Sequence, residues 1–324
     1  MVNTVLVWMV VRQTCGVPSI KISVQAEPSD IHSWLALARR LESDGFDALV
    51  VADHPGTGPS PWPALGAAAA ATTTLKLGTY VLQAGVRDPV QAAADAATLD
   101  VLAPGRVLFG LGAGHTFREW EVTGHSRPSP EDRAGRLAEF VDAVARLLDG
   151  ESVTIDGRYL RLVDARLEEF SAAGRVTLVV GGGNRQVLRV AAARAGVVGL
   201  SGLGRTRPDG HRHEVRWTVA ELDAQLELIR DQSGRSGTAP EIEALVQVVT
   251  VTDDRLQSLS DLTGRLQGTT DADLDRTPFV LVGSVEEMAA QLVRQARELG
   301  ITRYVVREPS VEAASRVLSL LKDR

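Results

Sequence analysis

Cysteine occurs once, at Cys15, in a chain of 324 residues, which excludes an intramolecular disulfide framework and any thiolate-based zinc or iron–sulfur centre, and points to a reducing compartment. Lysine is almost as scarce: three residues against 32 arginines. An excess of positive charge is missing too, since the formal net charge is −6, so the chain as a whole repels nucleic-acid backbones and anionic membranes. Long apolar runs are absent. The densest, VLVWMVV at residues 5–11, is far shorter than the roughly 20 residues that span a bilayer, and it lacks the basic flank and the cleavage site of a secretory signal. Residues 1–19 therefore read as an N-terminal extension outside the core, residues 20–324 as one domain, and the expected location is cytoplasmic.

What the chain has is a rhythm. Short β-branched runs alternate with stretches of 3.6-residue periodicity, as where Trp34, Leu37, Ala38 and Leu41 share one face of a helix capped by Ser29 or Asp30. Eight principal strands are expected, starting near residues 20, 48, 75, 106, 176, 197, 244 and 302, with 279–282 as an edge or loop segment. Residues 153–162 alternate with period two around Asp156-Gly157, which signals a hairpin inserted into the rhythm. Residues 201–214 read as a polar loop. Eight βα units in about 300 residues fit a (β/α)8 TIM barrel with insertions. The rival is a doubly wound open sheet, weakened because no G-x-G-x-x-G follows the first strand.

In a barrel, chemistry sits on the loops that leave the carboxyl ends of the strands. Strand two ends in Asp53-His54 and a Gly/Pro-rich loop, placing an imidazole that titrates near neutrality. Strand four ends in Gly110-Leu111-Gly112-Ala113-Gly114-His115, where the lack of Cβ atoms admits close approach of a ligand. Strand five ends in Gly181-Gly182-Gly183-Asn184-Arg185 and opens straight into a helix, an arrangement suited to phosphate. The pair His211 and His213 has H-x-H spacing but lies in a polar loop and not at a strand end, so no metal is expected.

Several stretches resemble the bacterial-luciferase-like superfamily, and in particular its coenzyme F420-dependent oxidoreductase branch: WLALARRLESDGFDALVVADH (34–54), LKLGTYVL (75–82), DPVQAAADAATLDVLAPGRVLFGLGAGH (88–115), LVVGGGNRQVLRVAA (178–192) and FVLVGSVEEMAAQL (279–292). The resemblance covers about residues 20–321. It implies an insertion-bearing barrel, a homodimer, a small-molecule substrate, and a deazaflavin or flavin held at the strand ends, coenzyme F420 in the first place and FMN as the alternative. By residue, it makes His54 and His115 the catalytic candidates. It assigns Asp53, Tyr80, Val81, Gly112, Gly114, Gly181, Gly182, Gly183, Asn184 and Arg185 to the cofactor, with a non-proline cis peptide at Tyr80-Val81. Two departures stand out. His115 occupies the place of the branch's catalytic glutamate, and Gly58 stands where its sugar-phosphate dehydrogenases have tryptophan, which counts against a glucose-6-phosphate-type substrate. Glu119 is a candidate to orient one imidazole, and Arg118, Arg133 and Arg136 to reach the cofactor's anionic tail. The alternatives are an FMN-dependent monooxygenase of the same superfamily, a metal-dependent hydrolase or isomerase, and a cofactor-binding protein without turnover.

Overall fold

A computed structural model describes residues 19–167, 176–207 and 212–322; the 5–11 apolar run, Cys15 and His211 lie outside them. Eight parallel strands close a barrel in chain order: β1 (Lys21–Gln25), β2 (Ala48–Val51), β3 (Lys76–Gln83), β4 (Val107–Gly112), β5 (Thr177–Gly181), β6 (Val197–Leu200), β7 (Glu241–Leu245) and β8 (Ile301–Arg307). Closure is made by β1 against β8, from Lys21 opposite Arg303 to Gln25 opposite Arg307. A closed parallel ring has no sequential rival in an open sheet, and the expected TIM barrel is what the chain forms.

The helices follow from local chemistry. Asp30 caps α1 (Ile31–Asp44), its Oδ1 accepting the amides of His32 and Ser33, and Gly45 ends that helix at φ +83°. Proline opens both α2 (Pro61–Ala71) and α3 (Pro89–Leu102), where its missing N–H costs nothing. After β4 come a short α4 (Phe117–Val122) and the long α5 (Pro130–Leu148); α6 (Arg185–Arg194) and α7 (Val219–Ser236) follow β5 and β6.

Two cores result. The larger fills the annulus between strands and helices. The smaller lies inside the barrel, where Ala48, Val50, Tyr80, Leu108, Val179, Val197, Leu245 and Val305 meet. At the amino end the barrel is plugged by charge: Arg303, 1% exposed, donates to Asp47, Glu241 and Glu243, while Lys76 pairs with Asp47 and Lys21 with Glu241. Two of the three lysines are spent there, at the end opposite to the chemistry.

Two expectations are corrected. The hairpin pairs Val153–Asp156 with Arg161–Ala165, and its turn is longer than Asp156-Gly157 because the amides of Arg158, Tyr159 and Leu160 all donate to the Glu139 carboxylate on α5. The supposed loop at 201–214 contains an antiparallel ribbon, Leu203–Thr206 with His213–Val215, whose polar sequence lacks strand alternation. The strand expected near 244 is β7, and after it Val248–Val251 pairs in parallel with Val280–Gly283, the edge or loop segment expected at 279–282, in a separate two-stranded sheet.

Candidate active site

The carboxyl ends of β2, β3, β4 and β5 surround one mouth. Asp53, just past β2, is buried and accepts a bidentate pair from Arg87 at 2.6 and 3.1 Å and the Gln83 amide at 3.1 Å. These bonds fasten the β2 loop to the β3 loop, so the carboxylate anchors its neighbour His54. His54 Nδ1 lies 2.7 Å from Oε1 of Glu119, whose Oε2 accepts Gln83 Nε2 at 2.7 Å. Glu119 is 2% exposed. The hydrogen bond to Glu119 raises the His54 pKa above its ordinary value against the opposing effect of burial, with help from the charges of Glu119, Glu27 and Asp53.

The peptide between Tyr80 and Val81 is cis, at the point where the β3–β4 register shifts between Thr79 and Leu82. Tyr80 points down into the inner core, where burial and then Glu243 hold its hydroxyl protonated. Val81 is half-buried at the top of that core and faces Gly110, Gly112 and Gly181. A Cβ on Gly112 would come within 2.4 Å of Val81 Cγ2, so the glycine makes room for an apolar floor to the mouth. Gly114, at φ +72°, packs its bare Cα side against Gln83, where a Cβ would meet Cγ at 2.6 Å. That leaves Gln83 free to reach Glu119.

At the end of β5, the Gly182 amide bonds Gly199 O at 3.0 Å, and Asn184 Oδ1 caps α6 by accepting the Gln186 amide at 2.8 Å. Gly182 and Gly183 sit tightly against Val187 and Leu203, Arg216 donates to Gly183 O at 3.2 Å, and exposed Arg185 begins the helix.

His115 stands across the mouth, edge-to-face with His213 at 4.6 Å between ring centroids. Its ring is exposed yet crowded. Packing in the mouth, then the charges of His213, His54, Arg127 and Arg133, push its pKa well below that of a free imidazole, tempered by the water that reaches the ring. Two arginines considered for the cofactor tail are otherwise engaged: Arg118 pairs with Glu121 on α4, and Arg136 donates to the carbonyls of Ala84, Tyr159 and Arg87. Among the described residues no cluster of three or more His, Cys, Asp or Glu side chains is gathered as a metal site.

The luciferase-like monooxygenase family model matches residues 15–267. The chain belongs to that family. It is 33% identical over 221 residues to the F420-dependent glucose-6-phosphate dehydrogenase of Beutenbergia cavernae, an alignment covering 63% of this chain and 64% of that protein, so it spans less than two thirds of the relative's length. Among solved structures, an F420-dependent secondary alcohol dehydrogenase in complex with an F420-acetone adduct superposes with a TM-score of 0.73 at 21% identity, covering 94% of this chain and 98% of that one. The long-chain alkane monooxygenase LadA does so at 0.72 and 17% identity, covering 94% and 92%. These two likenesses concern the fold, which carries more than one chemistry.

Within this luciferase-like barrel, His54, His115 and Glu119 were legible in the sequence, His213 was weighed there only as one of a metal-binding pair, and Gln83 and Glu27 were missed. Gln83 and Glu27 sit at strand ends like the others, and that position was the available signal. His213 carried none that pointed here, because only the ribbon brings it to His115.

Proposed function

We propose that the protein is an oxidoreductase transferring a hydride between coenzyme F420 and a small organic substrate. The observation that carries the reading is a pair of imidazoles beyond the ends of β2 and β4, on the same mouth, whose surroundings push their pKa values in opposite directions, His54 up and His115 down. The similarity to proteins named F420-dependent supports the cofactor. The mouth fits it: Val81 offers an apolar floor for a planar ring, His54 stands beside it, and the first turn of α6 with Arg185 and Arg216 suits a phosphate.

When bound, the deazaflavin supplies the carbon that accepts or gives up the hydride. Everything else falls to the chain. Glu119 engages Nδ1 of His54, which fixes the ring's orientation and keeps it cationic to higher pH, leaving Nε2 as its nitrogen for proton traffic. His115, neutral at physiological pH, accepts the proton of a substrate hydroxyl as the adjoining carbon loses its hydride, and returns it in the reverse direction. A neutral imidazole thus does the work of the glutamate that the resembling dehydrogenases carry at this place.

A second reading, an FMN-dependent monooxygenase, is favoured by the α6 loop, which suits the phosphate of either cofactor. Oxygen consumption separates the two. With a panel of alcohols and carbonyl compounds, F420-linked turnover without oxygen uptake is the expected result; oxygen uptake with reduced FMN and no F420-linked turnover would replace the assignment.

A further inference from the structure

Beside the paired groups of the mouth lie two guanidinium groups that, among the described residues, have no carboxylate partner. Arg133 on α5 is 8% exposed, the one hydrogen bond of its side chain among the described residues runs from Nη1 to Pro128 O at 2.7 Å, and its buried Nε has no partner. Arg127 lies with its guanidinium 4.0 Å over the ring of Phe117, its buried Nε likewise unpartnered. Among the described residues neither forms an ion pair with a carboxylate, although the chain carries a net charge of −6. Both act electrostatically on His115, as do His54 and His213, and Arg127 acts on Arg133. An unpaired guanidinium inside a protein is costly, and two side by side are more so.

From this juxtaposition we infer that Arg127 and Arg133, with the His115–His213 pair, form an anion subsite that seats a carboxylate or phosphate group of the substrate. The inference rests on the proposed function for its substrate, but the site itself does not. An anion placed there gives the two guanidinium groups their missing acceptors. Burial is the first cause of the depressed His115 pKa and the surrounding positive charges the second; the anion offsets the second, moving the proton acceptor's pKa upward as substrate arrives. Charged substrates thereby complete the base that a neutral analogue leaves mistuned.

The test uses the full chain labelled at histidine ring nitrogens and carbons, titrated with inorganic phosphate at constant ionic strength. The expected result is a saturable shift of the His115 and His213 resonances, a raised His115 pKa at saturation, and affinity weakened about tenfold or more in Arg127→Ala and Arg133→Met. Should Arg133→Met fail to fold, Arg127→Ala, whose side chain lies nearer the surface, carries the test. A non-saturable shift matched by chloride, or one unchanged in Arg127→Ala, would overturn the subsite. Coenzyme F420 affinity in Arg127→Ala, read by fluorescence, separates the anion's two sources. Unchanged affinity assigns the anion to the substrate, and a comparable loss assigns it to the cofactor's tail and overturns the substrate assignment. Phosphate binding that depends on Arg127 in a protein that binds no F420 would leave the subsite standing and remove the proposed function instead.

Discussion

At the scale of the residue, three side chains act in series: Gln83 holds Glu119, and Glu119 holds His54. Replacing His54 with alanine is expected to lower turnover by about 10² to 10⁴ while leaving F420 affinity within a few-fold, because a positioned acid–base group contributes to rate more than to binding. Equal losses in both would make His54 a wall of the pocket. Glu119→Gln separates charge from position. The glutamate raises the His54 pKa, so the imidazolium is present below that raised value and is lost as pH rises through it. Without the carboxylate, the alkaline limb of the pH–rate profile should move to lower pH while KM changes little. A limb that stays in place would mean that another group sets it.

At the scale of the element, loops are tied by carboxylates that accept backbone amides. Glu42, on α1, accepts those of Thr73, Thr74 and Leu75 ahead of β3, and these bonds outweigh burial to lower its pKa to about 2. A depressed carboxylate stabilises the fold fully above its unfolded value, near 4.5, and loses that contribution as pH falls toward 2. Glu42→Gln should therefore cost about 1–2 kcal/mol at neutral pH, screened as it is by nearby water, and the difference from wild type should shrink below the unfolded value and vanish only as pH falls through about 2. A difference independent of pH would show that shape and not charge ties the loop. Elements of this kind divide sharply in legibility. ALVV at β2 announces itself because a strand buried on both faces is apolar throughout. The ribbon LGRT with HEV cannot, since its pairing is fixed by backbone bonds while its side chains stay polar. The strand-end rule located His54 and His115. It could not foresee that Arg136 spends its donors on three carbonyls while Arg133 keeps a buried nitrogen unpaired, because partners distant in sequence decide both.

At the scale of the molecule, the barrel separates stability from chemistry along its axis. Arg303 at the amino end faces three carboxylates, of which Glu243 is 2% exposed. Arg303→Ala should destabilise the protein by about 3–5 kcal/mol in denaturant unfolding, because it strands buried negative charge. Adding Glu243→Leu should restore much of that loss, since Lys76 and Lys21 still serve Asp47 and Glu241. The amino-end plug balances three cations with three carboxylates, whereas the carboxyl end carries Arg127, Arg133, Arg185 and Arg216 around an apolar floor, in a protein that is acidic overall. That contrast draws anionic ligands to the mouth and makes their binding sensitive to salt.

The central claim is that this mouth is built for a deazaflavin, and equilibrium titration of the purified protein with coenzyme F420 and with FMN, followed by fluorescence at low and high ionic strength, tests it most directly. F420 carries more negative charge beyond the shared phosphate, so it should bind more tightly than FMN and weaken more as salt rises, while Arg185→Ala weakens both. Tighter binding of FMN, or an F420 affinity indifferent to salt, would contradict the account.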